Sequence, residues 1–113
     1  MKVIIAGGRD VTNYELLLEA IAESEYHISE VICGGASGAD ALGERWAREN
    51  GVPVEKWDAD WKKYGNAAGP IRNRQMAKRG HALIAIWDGK SRGTKNMIEE
   101  ATKQNLIIYI KHI

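Results

Sequence analysis

Gly34-Gly35-Ala36-Ser37-Gly38-Ala39-Asp40 decides the reading of this chain, because it follows the apolar run Val31-Ile32-Cys33 and opens the patterned segment Ala39 to Asn50. A short β-type run, then small residues that let a guest approach the backbone, then a helix start, is an arrangement that turns free N–H groups and a positive helix end toward an anion. Gly34, Gly35 and Gly38 carry no Cβ and tolerate positive φ, with Ala36 between them adding little bulk. Ser37 supplies a hydroxyl donor, and Asp40 can accept from a sugar hydroxyl or brace the loop. A plain strand-to-helix turn also uses glycines, so one such loop alone is weak evidence.

Working outward, the same grammar recurs on both sides. Lys2 to Ala6 is a β-branched run of the kind found in a strand buried on both faces, and it ends in Gly7-Gly8-Arg9-Asp10. Thr12 and Glu15 have capping-box spacing, and Tyr14, Leu17, Leu18 and Ile21 fall on one face of a helix expected to run to about Glu25. Glu30 to Cys33 is the second strand. Ala39, Leu42, Trp46 and Ala47 mark the inward face of the second helix, which Gly51 ends. Pro53 to Trp57 reads as a short strand near a sheet edge, since proline begins it.

Asp58 to Gly69 shows no periodicity and is expected to be the longest irregular connection. Pro70 suits a first helical turn, and the basic helix Ile71 to Arg79 would turn Met76 and Ala77 inward. Ala82 to Trp87 is the fourth strand. Asp88-Gly89-Lys90-Ser91-Arg92-Gly93-Thr94 then leads into a helix with Met97, Ile98 and Ala101 on one face, and Leu106 to Ile110 closes the chain. Strands alternating with helices predict an α/β fold, a Rossmann-like three-layer sandwich around a mostly parallel five-stranded sheet, as one domain over residues 1–113. Ligands of such sheets sit beyond the carboxyl ends of the strands. All three glycine loops follow a strand and precede a helix, so they share that edge.

Composition narrows the partners. Sixteen Lys and Arg against fifteen Asp and Glu leave +1, too little for a bulk field drawing the chain to nucleic acid or anionic lipid. The one cysteine, Cys33, lies inside an apolar run and is expected to pack in the core. His27, His81 and His112 have no ligand spacing, so no metal site is expected. Without a signal-type apolar segment at Met1 or a run of about 20 apolar residues, the expected location is the cytoplasm.

The motifs GGRD, GGASGAD, AGPIRNRQM and WDGKSRGT, in this order and spacing, resemble the SLOG superfamily of Rossmann-like nucleotide-binding domains, closest to its small single-domain YspA or YpsA-related branch. The resemblance covers nearly the whole chain and implies a nucleotide or an ADP-ribose-like derivative as ligand, with no separate cofactor. It implies a homodimer or higher homo-oligomer, for which the apolar Leu106 to Ile110 is a candidate surface. Through the LOG phosphoribohydrolases it also implies a site arginine, matched by Arg72 beside Asn73, and a PGGxGTxxE loop, matched by Gly93-Thr94. The catalytic glutamate of that loop is not matched. Three residues past Thr94 stands Met97, and the loop is one residue longer and lacks the proline.

Cleavage of an N-glycosidic bond needs a carboxylate near the sugar, which leaves Asp10, Asp40, Asp60 and Asp88 as substitutes. Arg9, Arg72, Arg74, Lys90 and Arg92 are the cations nearest the expected site, and Trp61 and Trp87 the aromatics placed to stack on a base, whereas Trp46 reads as core. Three functions compete: a binding module for a nucleotide derivative, a hydrolase of the same ligand class, and a single-strand DNA binder like the DprA branch. Near-neutral charge and a single basic helix count against the last.

Overall fold

The structure, a computed structural model, describes all 113 residues. Five strands, β1 (Lys2–Gly7), β2 (Glu30–Cys33), β3 (Val54–Lys56), β4 (Ala82–Trp87) and β5 (Ile107–His112), form one sheet in the order β3-β2-β1-β4-β5 with every pairing parallel. The helices are α1 (Tyr14–Ser24), α2 (Ala39–Glu49), α3 (Trp61–Tyr64), α4 (Ala68–Arg79) and α5 (Arg92–Lys103). The predicted sandwich is therefore present, and its sheet is wholly rather than mostly parallel.

Alternation along the central strands assigns the two faces. Val3 and Ile5 point to one side with Val31, Ile84 and Ile86, where Leu17 and Ala20 of α1 and Ala39 and Ala47 of α2 cover them. Ile4 and Ala6 point to the other side with Ile32, Leu83 and Ala85, under Met76 and Ala77 of α4 and Met97 and Ala101 of α5. Both faces are buried, which is why β1 and β4 read as unbroken apolar runs. Trp46 packs half-buried against the first of these layers, as expected. Cys33 is fully buried with its Sγ donating to Glu44 at 3.6 Å, and burial pushes its thiol up to about 12.

Five local expectations shift. The cap of α1 is Asn13, whose side chain accepts from the Glu15 amide at 3.0 Å, so Thr12 lies outside the helix and the capping box does not form. Residues 58–69 are not irregular throughout, since Asp60 caps the four-residue α3 through the Lys63 amide, one 3-10 turn covers Gly65–Ala67, and α4 already begins at Ala68. At the third glycine loop, Ser91 caps α5, and Arg92, Gly93 and Thr94 belong to its first turn. β3 is shorter at both ends than Pro53 to Trp57, though it is the edge strand expected, and β5 starts one residue later and runs on to His112.

Candidate functional site

With β1 pairing β2 on one side and β4 on the other, the connections after β1 and β4 leave on opposite faces of the sheet, α1 on one and α5 on the other. The crevice between two such connections is where open parallel sheets hold ligands. Here it is a cleft of about 710 Å³. Gly7, Gly8, Arg9 and Asp10 line it from β1, Ala36 and Asp40 from the second loop, Arg72 and Asn73 from α4, and Asp88, Ser91, Arg92, Gly93 and Thr94 from the third loop. A second cavity of about 360 Å³ is lined by Gly34, Gly35 and Ser37 and shares Arg9, Ala36, Trp61 and Arg72 with the first.

Three residues predicted for the site line neither cavity. Gly38 serves chain packing: its φ is 74°, and a Cβ there would run into the Gly8 and Arg9 carbonyls. Gly89 forms the outer turn of its loop with φ 81°. Trp87 does not offer its ring to the cleft. Its Nε1 donates to the Ser91 carbonyl at 3.1 Å and its ring tilts against His112, so it fastens the third loop.

Arg72 lies at the centre but is already engaged. Its Nη1 donates to the carbonyls of Gly34 at 2.6 Å and Trp57 at 3.3 Å, and its Nε donates to Asn73 Oδ1 at 3.1 Å. Asn73, buried, uses its Nδ2 on Asn96 Oδ1 at 2.9 Å and on the Gly93 carbonyl at 3.4 Å. A continuous run of hydrogen bonds thus joins the second glycine loop to the third through α4. A Cβ at Gly34 would stand 2.5 Å from Arg72 Nη1 and 3.0 Å from Asp40 Oδ2, so a side chain there would push the guanidinium out of its place.

The four carboxylates weighed as substitutes separate by environment. Asp60 caps α3. Asp88 accepts from the Ser91 and Lys90 amides, both at 2.8 Å, and those bonds hold its carboxyl below the usual range. Asp10 lines the cleft but is exposed. Asp40 is 7% exposed, accepts from the Ala36 amide at 3.1 Å, and is pushed up to about 6 by burial, against the opposing pull of that bond and of Arg72. Met97, at the position where the resemblance puts a glutamate, is buried against the apolar layer and meets the cleft only as a wall.

The cations divide as well. Arg74 pairs with the buried Glu100 at 3.5 Å, so it belongs to the α4–α5 surface. Arg9, Lys90 and Arg92 line the cleft without a carboxylate within salt-bridge distance. Asn96 also lines the cleft and was not singled out from the sequence; its spacing of four from Arg92, on one helix face, is the signal that would have found it.

A family model described as the YspA, cpYpsA-related SLOG family matches residues 1–64, which span β1 to the end of α3 and the first two glycine loops. The chain belongs to this SLOG family. This SLOG chain is also 35% identical over 115 residues to Gene 61 protein of Mycobacterium phage D29, a match that covers 93% of this chain and 91% of that one. No solved structure gives a significant match. The SLOG family match stops before Arg72 and Gly93, so the half of the cleft built by α4 and α5 is described by its geometry. No helix is long and apolar enough to cross a membrane.

Proposed function

We propose that this protein binds a nucleotide or nucleotide-derived, ADP-ribose-like ligand in the cleft beyond β1 and β4, as a cytoplasmic sensor or sequestering module. The observation that carries the reading is the gathering of unspent donors around that cleft. The amides of Asp40 at the start of α2 and of Arg92 and Gly93 at the start of α5, all three residues of the cleft wall, and that of Ser37 in the adjoining second cavity make no hydrogen bond within the protein. Arg9, Lys90 and Arg92 add free positive charge beside them. Helix N-termini with unpaired amides favour anions, and guanidinium groups grip phosphate by paired bonds. The cleft volume falls within the range of about 300–1,000 Å³ usual for small-molecule sites.

A ligand at about 100 times its dissociation constant stabilises the folded state by roughly 2.7 kcal/mol, several degrees in melting temperature for a domain of this size. A thermal-shift series over nucleoside mono- and diphosphates, dinucleotides and ADP-ribose is the test. No shift at millimolar concentration with any of them would refute the reading.

Asp40 favours a second reading, hydrolysis of the same ligand class. It is a carboxyl in the cleft wall held near a pKa of about 6, the condition in which one group can both give and take a proton near neutral pH. Incubation with nucleoside monophosphates followed by chromatography for free base separates the two. Base released by the native protein and not by Asp40→Asn would establish the hydrolase.

A further inference from the structure

The four tryptophans of this chain are placed in different ways. Trp57 Nε1 donates to Glu55 Oε1 at 2.8 Å, Trp87 Nε1 donates to the Ser91 carbonyl, and Trp46 packs on the apolar layer beneath α2. Trp61 is the exception. It is 53% exposed, the most exposed large apolar side chain of the molecule, and its indole N–H has no protein partner. Leaving that much aromatic surface in water forgoes the stabilisation that burial would bring, so its position calls for a reason.

That position is the rim shared by the two cavities, both of which Trp61 lines. It is held there by devices that leave its ring open. Asp60 caps the single turn of α3 through the Lys63 amide, and the far edge of the indole lies over Gly69, where a Cβ would come within 3.5 Å of Cη2. Tyr64, the neighbouring aromatic, is 40% exposed but lines neither cavity, and Lys63 Nζ lies 5.0 Å from its ring centre. Arg9, without a carboxylate partner, lines both cavities as well.

Resting on the reading that the cleft takes a phosphate-bearing ligand, we propose that Trp61 is the specificity-determining platform on which a planar heteroaromatic base stacks while its phosphate is held by the glycine loops. A flat π-surface at the mouth discriminates a nucleotide from a sugar phosphate or a bare anion, because only the nucleotide has a ring to lay against it. It discriminates weakly among bases, since each has a π-face.

The test measures binding of four probes, AMP, CMP, ribose 5-phosphate and inorganic pyrophosphate, to the native chain, Trp61→Ala and Trp61→Phe by calorimetry, with circular dichroism to check the fold. Trp61→Ala is expected to weaken AMP and CMP by about tenfold or more, to leave ribose 5-phosphate and pyrophosphate unchanged, and to be largely rescued in Trp61→Phe. Equal affinity of the native protein and Trp61→Ala for AMP would overturn the platform and leave the phosphate cleft standing. A parallel loss for all four probes would mean that Trp61 only supports the fold of the rim, which also overturns it. Failure of every probe to bind the native chain would remove the cleft reading and this inference together.

Discussion

Arg72 and Asp40 show how the same side chains can serve architecture and chemistry. Arg72 was selected from the sequence as a phosphate ligand, yet two of its three nitrogens are spent on Gly34, Trp57 and Asn73. Charged hydrogen bonds of this kind contribute about 1.5–3 kcal/mol each. Arg72→Ala is therefore expected to destabilise the ligand-free protein by roughly 2–4 kcal/mol, on the order of 10 °C in thermal unfolding. An unchanged melting temperature would return Arg72 to a purely ligand-facing role. Asp40 makes a pH-dependent contribution of definite sign. Burial makes its carboxyl hold a proton more tightly in the folded state, at about 6, than at the ordinary 3.8 of an unfolded chain. That stabilisation is complete below the unfolded value and is lost as pH rises through about 6, a difference on the order of 3 kcal/mol. Denaturant titrations from pH 4 to 8 should show native stability falling across this window relative to Asp40→Asn. A constant difference between the two proteins would count against the shift. Neither role was legible in the residue types alone, because each depends on what α4 and the second loop place around the side chain.

Among elements, legibility followed periodicity. β2 and β4 occur at the residues expected, because apolar runs bounded by glycine or charge leave little freedom in where a buried parallel strand starts and stops. α3 escaped notice because one turn is too short to display a period, and only Asp60 announces it. The start of α1 was misplaced by one residue since Thr12 and Asn13 are both good caps, and the choice fell to the one whose oxygen reaches the Glu15 amide. Asn13→Ala should cost about 1 kcal/mol in denaturant unfolding, whereas Thr12→Ala should change stability by only a few tenths. The reverse order would restore the capping box. The shared sheet edge of the three glycine loops was readable because each stands between a strand and a helix. Asn96 was passed over because its spacing from Arg92 says nothing of its partner, Asn73 on a different helix, and Trp87 misled because the acceptor for its indole, Ser91, lies only four residues further on.

For the whole molecule, the expectation of a homo-oligomer is tested at the edge of the sheet. β5 leaves one side unpaired, and Ile107 on it is 50% exposed, which suits pairing with a second copy. Light scattering at tens of micromolar is expected to return a dimer that Ile107→Glu converts to a folded monomer; a monomer mass for the native chain would exclude this. The order β3-β2-β1-β4-β5 has a further consequence in time. β1, made before the other four strands, is a middle strand, and its second neighbour, Ala82–Trp87, is made only after β2 and β3. During synthesis, at roughly 5–20 residues per second, Val3 to Gly7 must therefore wait on the order of seconds with one edge open. For that interval the nascent chain presents the apolar edge of Val3 to Ala6 to its surroundings, a surface open to pairing with other chains.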